Sequence, residues 1–133
     1  MRVAAVLAVA AVLVPAGTAA APVPVTKIKV AGFGSVLARR DGQALYFWKA
    51  EKDAKGKILC TGSCAKLWPP LLVRSRLSVP ARIPGLSGRF GVVRRPDGKL
   101  QATRNGLALY AYVHEGPRVV RCDNVGGWFV VRL

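Results

Sequence analysis

Acid is scarce in this chain. Six Asp and Glu stand against 21 Lys and Arg in 133 residues. So few carboxylates leave little material for acid–base chemistry, and Asp41 and Asp97, each followed by glycine, read as turn residues with a conformational job. Histidine occurs once, at His114, and no Ser/His/Asp set stands out. Apolar runs are short. Val3 to Val14 is an uncharged stretch of twelve residues, well below the roughly 20 needed to cross a bilayer. No cysteine lies near its end, which excludes lipid attachment there, and no twin-arginine pair precedes it. No segment shows a long amphipathic helical pattern.

What is present at the start reads as a signal peptide over residues 1–20. Arg2 supplies the positive charge, Val3 to Val14 the apolar core, Pro15 and Gly17 the break, and Thr18-Ala19-Ala20 the small residues before a cut. The mature chain is then residues 21–133, a single small domain with a limited core and no transmembrane segment. It is expected in the periplasm, the cell envelope or the extracellular space. Without Arg2 it carries 20 basic and 6 acidic residues, a net charge of +14. The basic residues are scattered from Lys27 to Arg132 and form no block. Diffuse charge of this kind attracts anionic envelope polymers or a membrane surface rather than a specific nucleic acid.

One unit occurs twice, at about 35–72 and 99–131. Ser35 to Glu51 reads SVLARR-DG-QALYFWKAE and Lys99 to Glu115 reads KLQATR-NG-LALYAYVHE. An ungapped offset of 64 matches Gly42 with Gly106, Tyr46 with Tyr110, Trp48 with Tyr112 and Glu51 with Glu115. Cys60 falls opposite Cys122, and Trp68 opposite Trp128, once short gaps are allowed. Asp41-Gly42 and Asn105-Gly106 are dipeptides favoured in type I′ turns, which need positive φ at both positions. They predict two similar hairpins. In Leu107 to Val113, Leu107, Leu109, Ala111 and Val113 share one face and Ala108, Tyr110 and Tyr112 the other; both are largely apolar, which fits a strand covered on both sides. Further strands are expected at Lys27 to Val30, Val92 to Arg95 and Trp128 to Val131. Cys64 to Trp68 predicts a short helical turn stopped by Pro69-Pro70, and Arg74 to Gly88 an irregular connection. The fold class is mostly β, a small antiparallel domain of two similar hairpin units with a short helical turn near the Cys-x-x-x-Cys segment.

These motifs together resemble the bacterial secreted-repeat proteins of unknown function, often described as predicted lipoproteins. Their mark is a repeated Tyr-x-aromatic-x-x-Asp. Here it takes the forms Tyr46-Phe47-Trp48-Lys49-Ala50-Glu51 and Tyr110-Ala111-Tyr112-Val113-His114-Glu115, with Glu in the acidic place. Cys60-Thr61-Gly62-Ser63-Cys64-Ala65 with Trp68-Pro69-Pro70, and Val125-Gly126-Gly127-Trp128, resemble two further segments of that family. The resemblance covers roughly Ser35 to Val131 and implies the fold more than an activity.

Two readings of the repeated motif compete. Tyr46, Trp48, Glu51, Tyr110, Tyr112 and Glu115 would form a ligand platform, since Tyr and Trp offer large faces with a polar edge. Alternatively the aromatics pack between the copies while Glu51 and Glu115 accept hydrogen bonds from loop amides. In an oxidising compartment Cys60 and Cys64 are expected to pair, with Cys122 left over; Cys60–Cys122 is the competing pairing. Cys60, Cys64, Cys122 and His114 also make up the ligand count of a tetrahedral metal site, and a redox or metal-handling protein is the alternative function. No cofactor is implied. Cys122 with His114 is the one conceivable nucleophile and base, so an enzyme is not the expected outcome. The favoured function is a non-catalytic binding module.

The signal-peptide reading has a direct check. N-terminal sequencing of the exported protein is expected to begin at Ala21, within a residue or two; a secreted chain that still starts at Met1 would refute it.

Overall fold

The computed structural model describes Met1, residues 4–17 and residues 22–133. The expected cut before Ala21 lies outside the described residues. Residues 4–17 carry no helix or strand and are exposed throughout. Among the described residues no helix is long and apolar enough to cross a membrane.

Alternation of apolar and charged residues starts the sheet. In β1 (Val25–Val30) Ile28 turns inward between Lys27 and Lys29, which stay in solvent, while Val25 opens the strand on the other face and enters a second core. The strand pairs antiparallel with β2 (Gly34–Arg39). β3 (Tyr46–Trp48) follows and runs straight into helix α1 (Lys49–Asp53). Helix α2 (Ser63–Leu67) contains Cys64 and ends at the Trp68-Pro69-Pro70 stop. β4 (Leu72–Val73), a 3₁₀ turn at Arg76–Ser78, β5 (Phe90–Arg94), β6 (Leu100–Arg104), β7 (Leu107–Ala108) and β8 (Trp128–Val130) complete the order. All pairings are antiparallel: β4, β5 and β7 each join β6, and β3 joins β8. The protein is mostly β, in small antiparallel sheets.

The second turn forms as its dipeptide predicts. Asn105 and Gly106 have φ of 51° and 77° between the paired residues Arg104 and Leu107. The first differs. Of Asp41 and Gly42 only Gly42 has positive φ, at 89°. The Arg39 amide donates to the Gln43 carbonyl at 2.8 Å and the Gly42 amide to the Arg39 carbonyl at 2.9 Å. The loop is therefore Arg40-Asp41-Gly42, three residues closed by a glycine bulge, another common hairpin connection. The Asp41 carboxylate accepts from the Gln43 amide at 3.0 Å and pairs with Arg39. Pro96-Asp97-Gly98 is built the same way, with Asp97 accepting from the Lys99 amide at 2.9 Å. The extra loop residue also corrects the ungapped alignment. Ala38 pairs with Ala44 where Thr103 pairs with Ala108, so the offset is 65 before the turn and 64 after it.

With that shift, the hydrogen bonds fall into matched pairs. Leu45 donates to Leu37 as Leu109 does to Ala102; Val131 donates to Leu45 as Leu71 does to Leu109; Lys49 donates to Gly127 as Val113 does to Leu67. The pairs exchange about one point, where the Tyr46 amide donates to the Tyr110 carbonyl at 2.8 Å and the Tyr110 amide to the Tyr46 carbonyl at 3.0 Å. Alternation along these strands makes two cores. Ala38, Ala44, Tyr46, Ala108, Tyr110, Trp68 and Trp128 gather on one side. Leu37, Leu45, Ala102, Leu109, Ala111 and Val131 gather on the other, closed by Val79 and Ile83 from the connection between the copies. The expected strand over Leu107 to Val113 is formal only in β7, yet its two faces divide between the two cores as its alternation requires.

The halves also touch where α1 ends. Gly56 has φ +86°, and a Cβ there would lie 2.7 Å from the Gly106 carbonyl oxygen; Gly32, at φ +80°, has nothing within 4 Å. Gly32→Ala is expected to cost about 1 kcal/mol, the left-handed penalty alone. Gly56→Ala adds overpacking and is expected to cost roughly 3 kcal/mol. Urea denaturation of both variants checks this, and equal losses would overturn it.

Candidate functional site

The Tyr-x-aromatic-x-x-Glu motif works by exchange between copies. Tyr46 opens β3, and α1 turns Glu51 back into the interior, but the two do not bond to each other. The Tyr46 hydroxyl donates to Glu115, lying 2.9 Å from Oε1 and 2.7 Å from Oε2. The Tyr110 hydroxyl donates to Glu51 Oε2 at 2.8 Å. Each carboxylate also holds the chain ahead of a cysteine. Glu51 Oε2 accepts from the Leu59 amide at 2.7 Å and the Cys60 amide at 3.0 Å. Glu115 Oε2 accepts from the Arg121 amide at 2.7 Å, just before Cys122. Tyr46 and Tyr110 are 0% exposed, Glu51 1% and Glu115 7%. A buried carboxylate is tolerated only when donors meet it, and these donors come from four chain segments, at Tyr46, Leu59-Cys60, Tyr110 and Arg121.

The indoles stack over this pair. Trp48 and Trp128 are parallel at 5.2 Å, Trp128 and Trp68 at 3.9 Å, and Trp68 meets Tyr112 at 4.8 Å with a 36° tilt. Tyr46 sets its edge on Trp68 and Tyr110 on Trp128, each at 5.2 Å. Trp68 and Trp128 are buried, whereas the outer members Trp48 and Tyr112 are half-buried. Of the six residues considered as a ligand platform, Tyr46, Glu51, Tyr110 and Glu115 thus offer no open face. Only Trp48 and Tyr112 reach solvent, at opposite ends of the column.

Cys60 and Cys64 form a disulfide. Their sulfurs are therefore not thiolates, which removes them from the four-ligand set with Cys122 and His114. Among the described residues no group of three or more His, Cys, Asp or Glu is placed to hold a metal. Cys122 is a free, half-buried thiol. Burial and then the Glu115 charge push its pKa up, which disfavours the nucleophilic thiolate. His114 is exposed, edge-on to Tyr112 at 5.5 Å.

Two residues without a sequence signal complete the interior. Arg95 is 4% exposed and Gln101 0%. Arg95 Nη2 donates to the Cys60 carbonyl at 2.8 Å and Nη1 to Gln101 Oε1 at 2.6 Å; Gln101 Nε2 donates to the Leu109 carbonyl at 2.8 Å. Gln43 Nε2, in the other half, donates to the Tyr112 and Glu115 carbonyls at 2.6 and 3.0 Å.

Burial and the facing carboxylates push the phenol pKa values of Tyr46 and Tyr110 well above the ordinary tyrosine range. The consequence for stability has a definite sign. Above pH of about 10 the unfolded tyrosines ionise while the folded ones keep their protons, so stability is full below that pH and falls as pH rises. In an ultraviolet titration two of the three tyrosines are expected to ionise only as the protein unfolds. Tyr46→Phe or Tyr110→Phe is expected to cost about 1.5–3 kcal/mol, the range for a hydrogen bond to a charged group. Three phenols titrating in the folded protein, or a Phe variant of unchanged stability, would contradict the geometry.

No family model, no curated protein and no solved structure matches this chain. What it does has to follow from the chemistry of its own residues.

Proposed function

We propose that this protein is an exported, non-catalytic binding module of the cell envelope or extracellular space, related in kind to the secreted-repeat proteins its motifs resemble. One observation carries this reading: the disposition of the acids. Glu51 and Glu115 are buried against tyrosines. The other four each lie within 4 Å of an arginine or lysine: Asp41 by Arg39, Asp53 by Lys49, Asp97 by Arg95 and Asp123 by Arg132. Among the described residues every acidic side chain therefore has a tyrosine, amide or cation partner. On the cationic side, Arg95 is the one basic residue buried among the described residues. Beyond these pairs the outer surface is accordingly basic, and suits adhesion to anionic polymers or headgroups through many weak contacts. The motif residues that would have suggested chemistry serve the interior.

Salt separates this mode from a specific aromatic site. Screening shortens from a Debye length of about 10 Å at 0.1 M to about 3 Å at 1 M. Binding to dextran sulfate is expected to weaken steeply over that range, and single Lys or Arg replacements to change it by less than about twofold. Trp48→Ala and Tyr112→Ala are expected to alter binding only through lost stability, as thermal melts run beside the titration will show. Tight, salt-independent binding abolished in a folded Trp48→Ala variant would reverse the assignment.

A further inference from the structure

We infer that the protein also carries a discrete site for one small amphiphilic anion, a free carboxylate on an acyl or aryl chain, in the cleft between α1 and the Asn105-Gly106 hairpin. This goes beyond diffuse adhesion. The cleft has a volume of about 500 Å³, within the range of small-molecule sites. Three cations line it, Lys52, Lys55 and Arg104, and no carboxylate does. Its apolar lining includes Phe47, Leu107 and Val131. A second hollow of about 290 Å³ adjoins it, shares Phe47 and Lys52, and extends to Phe129. Its one acid, Asp53, is held by Lys49 at 2.6 Å. Phe47 and Phe129 stack at 5.7 Å with a 21° interplanar angle, giving the groove a flat aromatic side.

The cationic end is built rather than incidental. Arg104 Nε and Nη2 donate to the Ser87 carbonyl and hydroxyl at 2.9 and 3.1 Å, which fixes the guanidinium and leaves Nη1 with no partner among the described residues. Lys55 sits at φ 57°, a conformation that costs a lysine energy, and Gly56 beside it abuts Gly106. The two turns that present Lys55 and Arg104 are therefore locked against each other. A bare anion would leave the apolar lining wet, and an uncharged chain would leave the three cations unanswered. An anionic head at Arg104 and the lysines, with its chain laid along Phe47 toward Phe129, satisfies both.

The test uses octanoate, with octan-1-ol and acetate as chain-only and head-only controls, followed by amide NMR shifts on the mature protein. Octanoate is expected to shift Lys55, Gly56, Asn105 and Gly106, and to bind at least about tenfold more tightly than either control. The double variant Lys52→Gln/Lys55→Asn is expected to weaken octanoate at least about tenfold; asparagine accepts the left-handed backbone at 55. Lys29→Gln/Lys66→Gln removes the same charge outside the cleft and is expected to leave octanoate unaffected. Equal weakening by both doubles, acetate binding as well as octanoate, or shifts elsewhere would each overturn the site. Dextran sulfate binding by the same proteins reports on diffuse adhesion separately: both doubles should weaken it alike. Its absence, with octanoate still bound in the cleft, would sink the adhesion reading and leave the site standing.

Discussion

Everything in this fold hangs from the meeting of Tyr46 and Tyr110. Their backbones exchange both hydrogen bonds, at 2.8 and 3.0 Å, and each sends its hydroxyl to the acid of the other copy. The swap matters energetically. A carboxylate bonded within its own copy would stabilise one hairpin alone. Bonded across, Glu51 ties α1 to the Cys60 loop and to the opposite strand, and Glu115 does the same ahead of Cys122. If either half comes loose, a buried charge loses its donors, which costs more than the bonds are worth when made. The indole column adds to this, because its central stack joins Trp68 of one copy to Trp128 of the other. A domain this small has little core to rely on, and it places its strongest polar contacts where they join the halves.

The halves are not equal, and the differences fall together. Around Glu51 two loop amides, the Cys60–Cys64 disulfide and the Arg95 guanidinium all fix one segment. Around Glu115 there is one loop amide, a free Cys122 and the Gln43 amide group. Where Arg95 and Gln101 lie inside the second hairpin, the first has Val30 and Val36 at the corresponding places. The polar interior is thus deeper on the disulfide side, and a buried guanidinium needs rigid acceptors there. The disulfide holds the Cys60 carbonyl that serves as one of them. The connection between the copies adds a further asymmetry, since Val79 and Ile83 cover one core and have no counterpart on the other.

What could be read from the residues was what local chemistry decides. The alternation in Leu107 to Val113 places Ala108 and Tyr110 in one core and Leu109 and Ala111 in the other, because side-chain period is fixed by the strand itself. Asn105-Gly106 has its type I′ form because both residues tolerate positive φ. Asp41-Gly42 carries the same signal but a different loop, because Asp41 is held by Arg39 and the Gln43 amide, and only the paired strands reveal that. The matching aromatics pack between the copies. Helix α1, Lys49 to Asp53, is too short to show a period. Burial of Arg95 and Gln101 depends on carbonyls donated by distant segments, at Cys60 and Leu109, and no spacing in the chain announces it. The cleft is equally silent: Lys52 and Lys55 are neighbours on and just after α1, but Arg104 is remote from them in sequence and joins them only through the contact of two turns.

The economy of charge links the scaffold to its surface. Joining two hairpins through tyrosine hydroxyls needs buried acceptors, and with only six carboxylates two of them go to that purpose. Each acid withdrawn inward removes a negative group from the exterior, and the four that remain are each beside a cation. The excess of lysine and arginine therefore faces outward without counter-charge. Repulsion within such a surface works against compactness, and the crossed tyrosine–glutamate bonds, the indole stack and the disulfide oppose it. Where α1 and two tight turns bring three of these cations beside half-buried phenylalanine, the repulsion is concentrated rather than spread. A bound anion with an apolar chain would relieve that repulsion and cover the ring at once, so the stress that the scaffold tolerates is also what would give a ligand its hold.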